Sequence, residues 1–138
     1  MSKPRQHVLF VCIGNACRSQ MAEAFARAYG RDVIDPASAG LAPLYSIPAL
    51  TLEVMQERNV RLMGQRSKGL HEVADQQFDL VINMSGYPLP QPFGERARNW
   101  DVEDPYGSEL DVYRRIRDQI ELLVMRLILE LRAAARPR

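Results

Sequence analysis

An apolar strand, a short loop and a helix follow one another directly over residues 7–23, HVLFVCIGNACRSQMAE. The apolar run at residues 7–12 predicts a strand buried in a parallel sheet, and the alanine-bearing run after Arg18 predicts a helix that begins at the loop. In an open α/β sheet, ligands bind beyond the carboxyl ends of the strands. The loop at residues 12–18 is therefore expected where such a fold places its ligand site.

The residue types in this loop suit a nucleophile beside a bound anion. Cys12 begins the loop and Arg18 closes it, a Cys-x5-Arg spacing, with Ser19 directly after. A thiolate becomes a strong nucleophile when a helix N-terminus and a cation lower its pKa, and a guanidinium clamps a tetrahedral anion together with backbone N–H groups. Gly14 is expected to supply the backbone freedom of a tight nest. Alone, Cys12 is typical of a core residue and Arg18 of a surface charge, but in this order they predict an anion-binding nucleophile loop.

Strand and helix patterns alternate along the rest of the chain. Four strands are predicted, over residues 7–12, 32–38, 78–84 and 98–102. Helices are predicted over residues 18–29, from a cap at Ser46 to about Arg58, over 67–77 and over 109–132. The proline- and glycine-rich residues 85–94 predict a loop. This order favours an α/β fold of three layers, a four-stranded parallel sheet with helices on both faces and a phosphate loop after the first strand.

Length and composition limit the remaining choices. The 138 residues suit one domain, residues 1–138, with fraying expected at 1–5 and 133–138. A net charge of +1 and no long apolar run favour neither nucleic acid nor membrane as a partner. Two cysteines, both in the loop, exclude a disulfide framework, and a thiol that must stay reduced suits the cytoplasm. His7 and His71 lack metal-ligand spacing, so we expect no metal and no cofactor.

Four segments of the sequence resemble one known family. They are VCIGNACRS at residues 11–19, ASAG at 37–40, FDLVINM at 78–84 and EDPY at 103–106. In this order they are similar to low-molecular-weight protein tyrosine phosphatases and to the thioredoxin-type arsenate reductases that share their fold. The resemblance covers residues 6 to about 132.

The resemblance implies catalytic roles for Cys12, Arg18 and Asp104. Cys12 would form a phosphocysteine, and Asp104 would protonate the leaving oxygen and then activate water. The phosphate would be held by the loop residues Ile13, Gly14, Asn15, Ala16, Cys17, Arg18 and Ser19. Alone, Asp104-Pro105 is also typical of a turn that begins a helix.

Further residues are implied to support the site. The Ser19 hydroxyl would hydrogen-bond the Cys12 sulfur, and Asn15, in a left-handed conformation, would bridge to Ser38, although Asn15 also suits an ordinary turn. Cys17 either forms a reversible disulfide with Cys12 or is a small buried residue.

Four aromatic residues are interpreted by their place in the chain. Tyr106 would line the substrate cleft, and Tyr45 would stand in for an aromatic residue that phosphatases carry after residue 40. Trp100 and Phe93 are expected to anchor the core or a loop.

The sequence carries features of both branches of the family. Gln20, where phosphatases usually have proline, and the short segment at residues 40–48 resemble the reductases. Residues 83–86, NMSG, hold none of the cysteines that a thioredoxin-coupled reductase needs after the third strand.

We therefore predict hydrolysis of phosphotyrosine proteins or small aryl phosphates, with phosphate or other oxyanions as ligands. The alternatives are an arsenate reductase that uses a small thiol or a glutaredoxin-like donor and, third, a phosphate-binding module without turnover.

Overall fold

Four parallel strands form the centre of the fold in a computed structural model that describes residues 5–136. They are β1 (Gln6–Cys12), β2 (Ile34–Gly40), β3 (Leu80–Asn83) and β4 (Ala97–Asn99). Their order across the sheet is β2-β1-β3-β4, and every neighbouring pair is parallel. The predicted α/β class and the four-stranded parallel sheet are confirmed.

Three α-helices cover one face of the sheet: α1 (Arg18–Tyr29), α2 (Ala49–Gln56) and α3 (Leu110–Ala135). Val8 and Phe10 of β1 belong to the apolar cluster on this face, while Leu9 and Val11 belong to a second cluster on the other face. The second cluster is closed by two short 3-10 helices, Leu70–Val73 and Phe93–Arg96. Strand β1 is therefore buried on both faces, as its continuous apolar sequence predicts.

The two long helices, α1 and α3, pack against each other on one face of the sheet and form the larger core. Helix α1 has the predicted bounds and ends at Gly30, where an added Cβ would lie 2.6 Å from the Ile128 side chain of α3. The absence of a side chain at Gly30 lets the two helices approach. The apolar residues of α3 pack into the core at Ile116, Ile120 and Leu127, as the helical spacing predicts.

The predicted helix over residues 67–77 is wrong. Only Leu70–Val73 is helical, as a single 3-10 turn. Residues before it are extended, because the Lys68 carbonyl accepts from the Gly40 N–H and Gly40 pairs with Gly69 beyond the end of β2. Tertiary hydrogen bonds thus override the local helical pattern.

Other boundaries shift without changing the topology. Helix α2 begins after Pro48 rather than near Ser46 and ends at Gln56. Strand β4 ends at Asn99, before the predicted end at residue 102. Helix α3 continues through residues 133–135, where fraying was expected. The fraying predicted for residues 1–4, 137 and 138 lies outside the described residues.

Candidate active site

The loop between β1 and α1 lies at the carboxyl end of the sheet, and the backbone carbonyl oxygens of residues 12–16 all accept hydrogen bonds from other segments or side chains. The donors are Leu41 N–H to Cys12, Ala42 N–H to Ile13, Leu44 N–H and the Ser67 hydroxyl to Gly14, Gln20 Nε2 to Asn15, and Thr51 Oγ1 to Ala16. Among the described residues, the backbone N–H groups of residues 13–19 have no protein acceptor. This polarity leaves a row of donors for an anion at the start of a helix.

The left-handed residue of the loop is Asn15, with φ +49°, whereas Gly14 has no positive φ. The expectation that Gly14 provides unusual backbone freedom is therefore wrong. An added Cβ at Gly14 would lie 3.0 Å from Leu44 Cγ, so glycine there serves a close contact. Gly40 packs directly against the same loop, because an added Cβ there would lie 2.6 Å from the Ile13 carbonyl oxygen.

Cys12 is nearly buried, and its sulfur lies 2.9 Å from Ser19 Oγ. The predicted contact between these two side chains is present. Asn15 Nδ2 donates to the same hydroxyl oxygen at 2.7 Å. Because that oxygen accepts from Asn15, the hydroxyl proton of Ser19 is available to a thiolate on Cys12.

The expected bridge from Asn15 to Ser38 is not formed. Ser38 Oγ instead donates to Glu23 Oε1 at 2.6 Å, and Glu23 also pairs with Arg27 at 2.7 Å. Asn15 Oδ1 accepts from the Lys68 backbone N–H at 2.9 Å. A buried carboxylate on α1 is the stronger acceptor for Ser38, since charge-assisted hydrogen bonds are stronger than neutral ones.

Arg18 is held by two backbone carbonyl oxygens on one side and faces Asp104 on the other. Its Nη1 donates to the Met84 carbonyl oxygen and to the Val102 carbonyl oxygen, the latter at 2.9 Å. Its Nη2 lies 3.5 Å from Asp104 Oδ2, and its Nε is buried without a hydrogen-bond partner among the described residues. A buried unpaired donor is costly, and the Nε–Nη2 edge has the geometry that binds two oxygens of one anion.

A pocket of about 100 Å³ opens above the loop backbone. Cys12, Cys17, Leu44, Asp104 and Tyr106 contribute to its lining. At ~30 Å³ per water molecule, this volume holds about three waters, or one tetrahedral oxyanion. Tyr106 takes the predicted position at the pocket, but Tyr45 does not line it, and its neighbour Leu44 does.

Asp104 is partly exposed, with 42 % of its side chain accessible. Its Oδ1 accepts from the Tyr106 backbone N–H at 3.1 Å, which fixes the carboxyl group in the turn before α3. The other oxygen, Oδ2, is the one near Arg18. The carboxyl group is therefore oriented by two contacts while it remains accessible to water.

Cys17 is the second sulfur of the loop. Its thiol donates to Tyr113 OH at 3.6 Å, and both cysteines are free. Burial raises the pKa of the Cys17 thiol. Cys17 therefore forms a thiolate less readily than an exposed cysteine does.

Aromatic anchors and a larger cleft lie beside this pocket. The Trp100 ring packs 6.1 Å from the Phe10 ring, and Phe93 is buried in the second cluster, as predicted. Trp100 also lines a cleft of about 780 Å³ that Arg18 borders and Cys12 does not. This cleft therefore adjoins the site without containing the nucleophile.

Several buried polar residues that hold the loop were not assigned from the sequence. Gln20, Thr51 and Ser67 donate to loop carbonyl oxygens from three different segments. The position of Gln20, directly after the motif, was a usable signal in the sequence. The contacts of Thr51 and Ser67 depend on the tertiary fold.

Residues 5–136 contain neither a metal-binding cluster nor a membrane-spanning helix. No group of three or more His, Cys, Asp or Glu side chains is placed to hold a metal ion within this range. No helix in the same range is long and apolar enough to cross a membrane.

Comparison with known proteins places this geometry among related folds. A family model described as low molecular weight phosphotyrosine protein phosphatase matches residues 7–136. A glutaredoxin arsenate reductase of Synechocystis sp. is 35% identical over 125 residues, which cover 88% of this chain and 95% of the relative.

Two solved structures extend the comparison. An arsenate reductase in a phosphate-binding state is 33% identical, with a TM-score of 0.81 and coverage of 91% of this chain and 98% of that one. A low molecular weight protein tyrosine phosphatase from T. tengcongensis is 32% identical, with a TM-score of 0.74 and coverage of 91% and 99%.

Proposed function

Because this chain belongs to the low molecular weight phosphotyrosine protein phosphatase family, we propose that it hydrolyses phosphotyrosine or other aryl phosphate monoesters through a phosphocysteine on Cys12. The family includes phosphatases and arsenate reductases, and this chain is an enzyme of that family. Phosphate and other tetrahedral oxyanions are its proposed ligands. A nucleophile that must stay reduced suits the cytoplasm as its location.

In the first step, the Cys12 thiolate attacks phosphorus and the bond to the aryl oxygen breaks. The Nε–Nη2 edge of Arg18 and the unpaired loop N–H groups bind the equatorial oxygens, where charge is held in the transition state. Asp104, in its protonated form, donates a proton to the departing aryl oxygen, so that a neutral phenol leaves.

In the second step, water attacks the phosphorus of the phosphocysteine. Asp104, now a carboxylate, accepts a proton from that water, and the sulfur leaves as a thiolate. Inorganic phosphate is released, and Asp104 is again protonated. The partial exposure of the Asp104 carboxyl group supports this role, because water must reach it.

The observation that carries the proposal is that Asp104 and Cys12 line one small pocket that has room for a single oxyanion. Hydrolysis needs only these two groups and the anion clamp. Thioredoxin-coupled arsenate reduction needs further thiols, and the one other cysteine is buried against Tyr113 with a raised pKa.

Arsenate reduction with an external thiol is the second candidate, and the relatives named arsenate reductase favour it. Arsenate has the tetrahedral shape and charge of phosphate, so the same loop suits it. Cys12 would displace water from arsenate, and an external thiol would then attack the Cys12 sulfur. Arsenite would leave with the electron pair of the S–As bond, and a second thiol would reduce the resulting mixed disulfide.

A side-by-side assay separates these functions. We expect the purified chain to hydrolyse p-nitrophenyl phosphate and phosphotyrosine peptides, and the Cys12→Ser variant to lose turnover while it still binds inorganic phosphate. Arsenate reduction is measured in parallel with thioredoxin, glutaredoxin plus glutathione, and glutathione alone. Arsenate turnover without phosphate-ester hydrolysis would contradict the proposal, and phosphate binding without either turnover would indicate a binding module.

A further inference from the structure

A continuous line of side-chain hydrogen bonds runs from the Cys12 sulfur to a cation on the opposite side of the loop. At the far end, Arg27 Nη1 donates to Gln65 Oε1 (3.0 Å), and Gln65 Nε2 donates to Gln20 Oε1 (2.7 Å). Gln20 Nε2 then donates to Asn15 Oδ1 (2.9 Å). Asn15 Nδ2 donates to Ser19 Oγ (2.7 Å), which lies 2.9 Å from Cys12 Sγ. Asn15, Ser19 and Gln20 are fully buried.

The direction of this line is fixed at each amide by a separate partner. Arginine only donates, so the oxygen of Gln65 must face Arg27. The amide nitrogen of Gln20 also faces the Asn15 and Arg66 carbonyl oxygens, at 3.0 and 2.9 Å. These contacts exclude a flipped Gln65 or Gln20 amide, because an oxygen would then face an oxygen.

Asn15 is oriented in the same sense by the backbone. The Lys68 N–H donates to Asn15 Oδ1, so the Asn15 amide nitrogen must face Ser19. Every donor in the line therefore points toward Cys12, and the last proton, that of the Ser19 hydroxyl, is directed to the sulfur. This arrangement is fully satisfied when Cys12 is a thiolate, which only accepts.

Hydrogen bonds in such a line polarise one another, and the effect is strongest away from water. Removing a remote donor weakens the last bond without touching the sulfur or the loop backbone. Gln65 suits this test, since it is partly exposed and contacts neither Cys12 nor the loop residues 12–19 among the described hydrogen bonds.

We propose that Gln20 and Gln65 are positioning residues that orient the Asn15–Ser19 pair and thereby stabilise the thiolate form of Cys12. The proposal rests on the assignment of Cys12 as the nucleophile. It gives a role to the buried glutamine that follows the motif, and it extends the site to the segment at residues 65–68, beyond the pocket.

The test is the pH dependence of Cys12 alkylation by iodoacetamide, followed by mass spectrometry of the peptide that contains Cys12. In Gln65→Met we expect the pH midpoint of alkylation to rise by about half a unit, which slows alkylation about threefold below the midpoint. Gln65→Leu should give the same shift. Gln76→Met, the same replacement at an exposed glutamine with no side-chain hydrogen bond in the described chain, should match the wild type.

A second measurement separates polarisation from a displaced loop. In a Cys12→Ser background, Gln65→Met should bind inorganic phosphate within about twofold of the parent, because the backbone nest is unchanged. An unshifted midpoint in both Gln65 variants, an equal shift in Gln76→Met, or a large loss of phosphate binding would each overturn the proposal. Alkylation needs no substrate, so these results stand apart from whether the chain hydrolyses phosphate esters.

Discussion

The Nε–Nη2 edge of Arg18 leads to a specific prediction about binding, the effect of Arg18→Lys. Arginine donates from Nη1 to two carbonyl oxygens, its Nε has no hydrogen-bond partner among the described residues, and its Nη2 lies 3.5 Å from Asp104 Oδ2. An ammonium group is one point of charge and does not span both sets of partners. The substitution keeps the charge and removes the two-pronged contact.

The size of the effect follows from the bonds that are lost. A hydrogen bond to a charged group contributes about 1.5–3 kcal/mol, so two such bonds in the transition state contribute about 3–6 kcal/mol. At about 1.4 kcal/mol for each factor of ten, kcat/KM for an aryl phosphate should fall about 10²- to 10⁴-fold.

The assay is steady-state hydrolysis of p-nitrophenyl phosphate, with inhibition by inorganic phosphate measured on the same samples. Arg132→Lys is the matched control, because Arg132 makes a two-pronged pair with Asp32 at the surface, before the start of β2. That variant should retain full activity. An Arg18→Lys enzyme within about threefold of the wild type would refute the clamp.

Three further predictions concern the acid, the loop support and the thiol donor. Asp104→Asn should slow phenyl phosphate more than p-nitrophenyl phosphate, because a poor leaving group depends more on protonation; equal losses, measured as kcat/KM, would move the acid elsewhere. Gly40→Ala should cost about 10-fold or more in kcat/KM with the fold retained by circular dichroism, since its Cβ would lie 2.6 Å from the Ile13 carbonyl oxygen; full activity would contradict the close contact. Any arsenate reduction should require a small thiol or glutaredoxin, because Cys17 is the one internal thiol besides Cys12 and is buried. Sustained turnover with thioredoxin as the only thiol donor, measured as NADPH consumption, would contradict this prediction.

The sequence was sufficient where the signal was local. The apolar run before Cys12 and the bounds of α1 were predicted closely, because a buried strand and an alanine-bearing helix are set by neighbouring residues. The predicted contact between Cys12 and Ser19 is present in the structure, and Arg18 and Asp104, each assigned a catalytic role, lie 3.5 Å apart.

The sequence failed where a distant segment decides the local structure. Residues 67–69 have a helical pattern, but the Lys68 backbone bonds Asn15 and Gly40, and this keeps the segment extended. The partner of Ser38 was wrong for a similar reason, since Glu23 becomes a neighbour only after α1 packs on the sheet. The contact of Gln20 with Gln65 spans 45 residues, and no local pattern indicates it.

The most direct test of the account is to trap the phosphoenzyme. Enzyme that is turning over a phosphorus-labelled aryl phosphate is quenched in acid, digested and mapped by mass spectrometry. The account predicts label on the Cys12 sulfur, more of it in Asp104→Asn, where breakdown of the intermediate is slowed, and none in Cys12→Ser. Hydrolysis that proceeds with no label on Cys12, or with label on another residue, would contradict the assignment of Cys12 as the nucleophile.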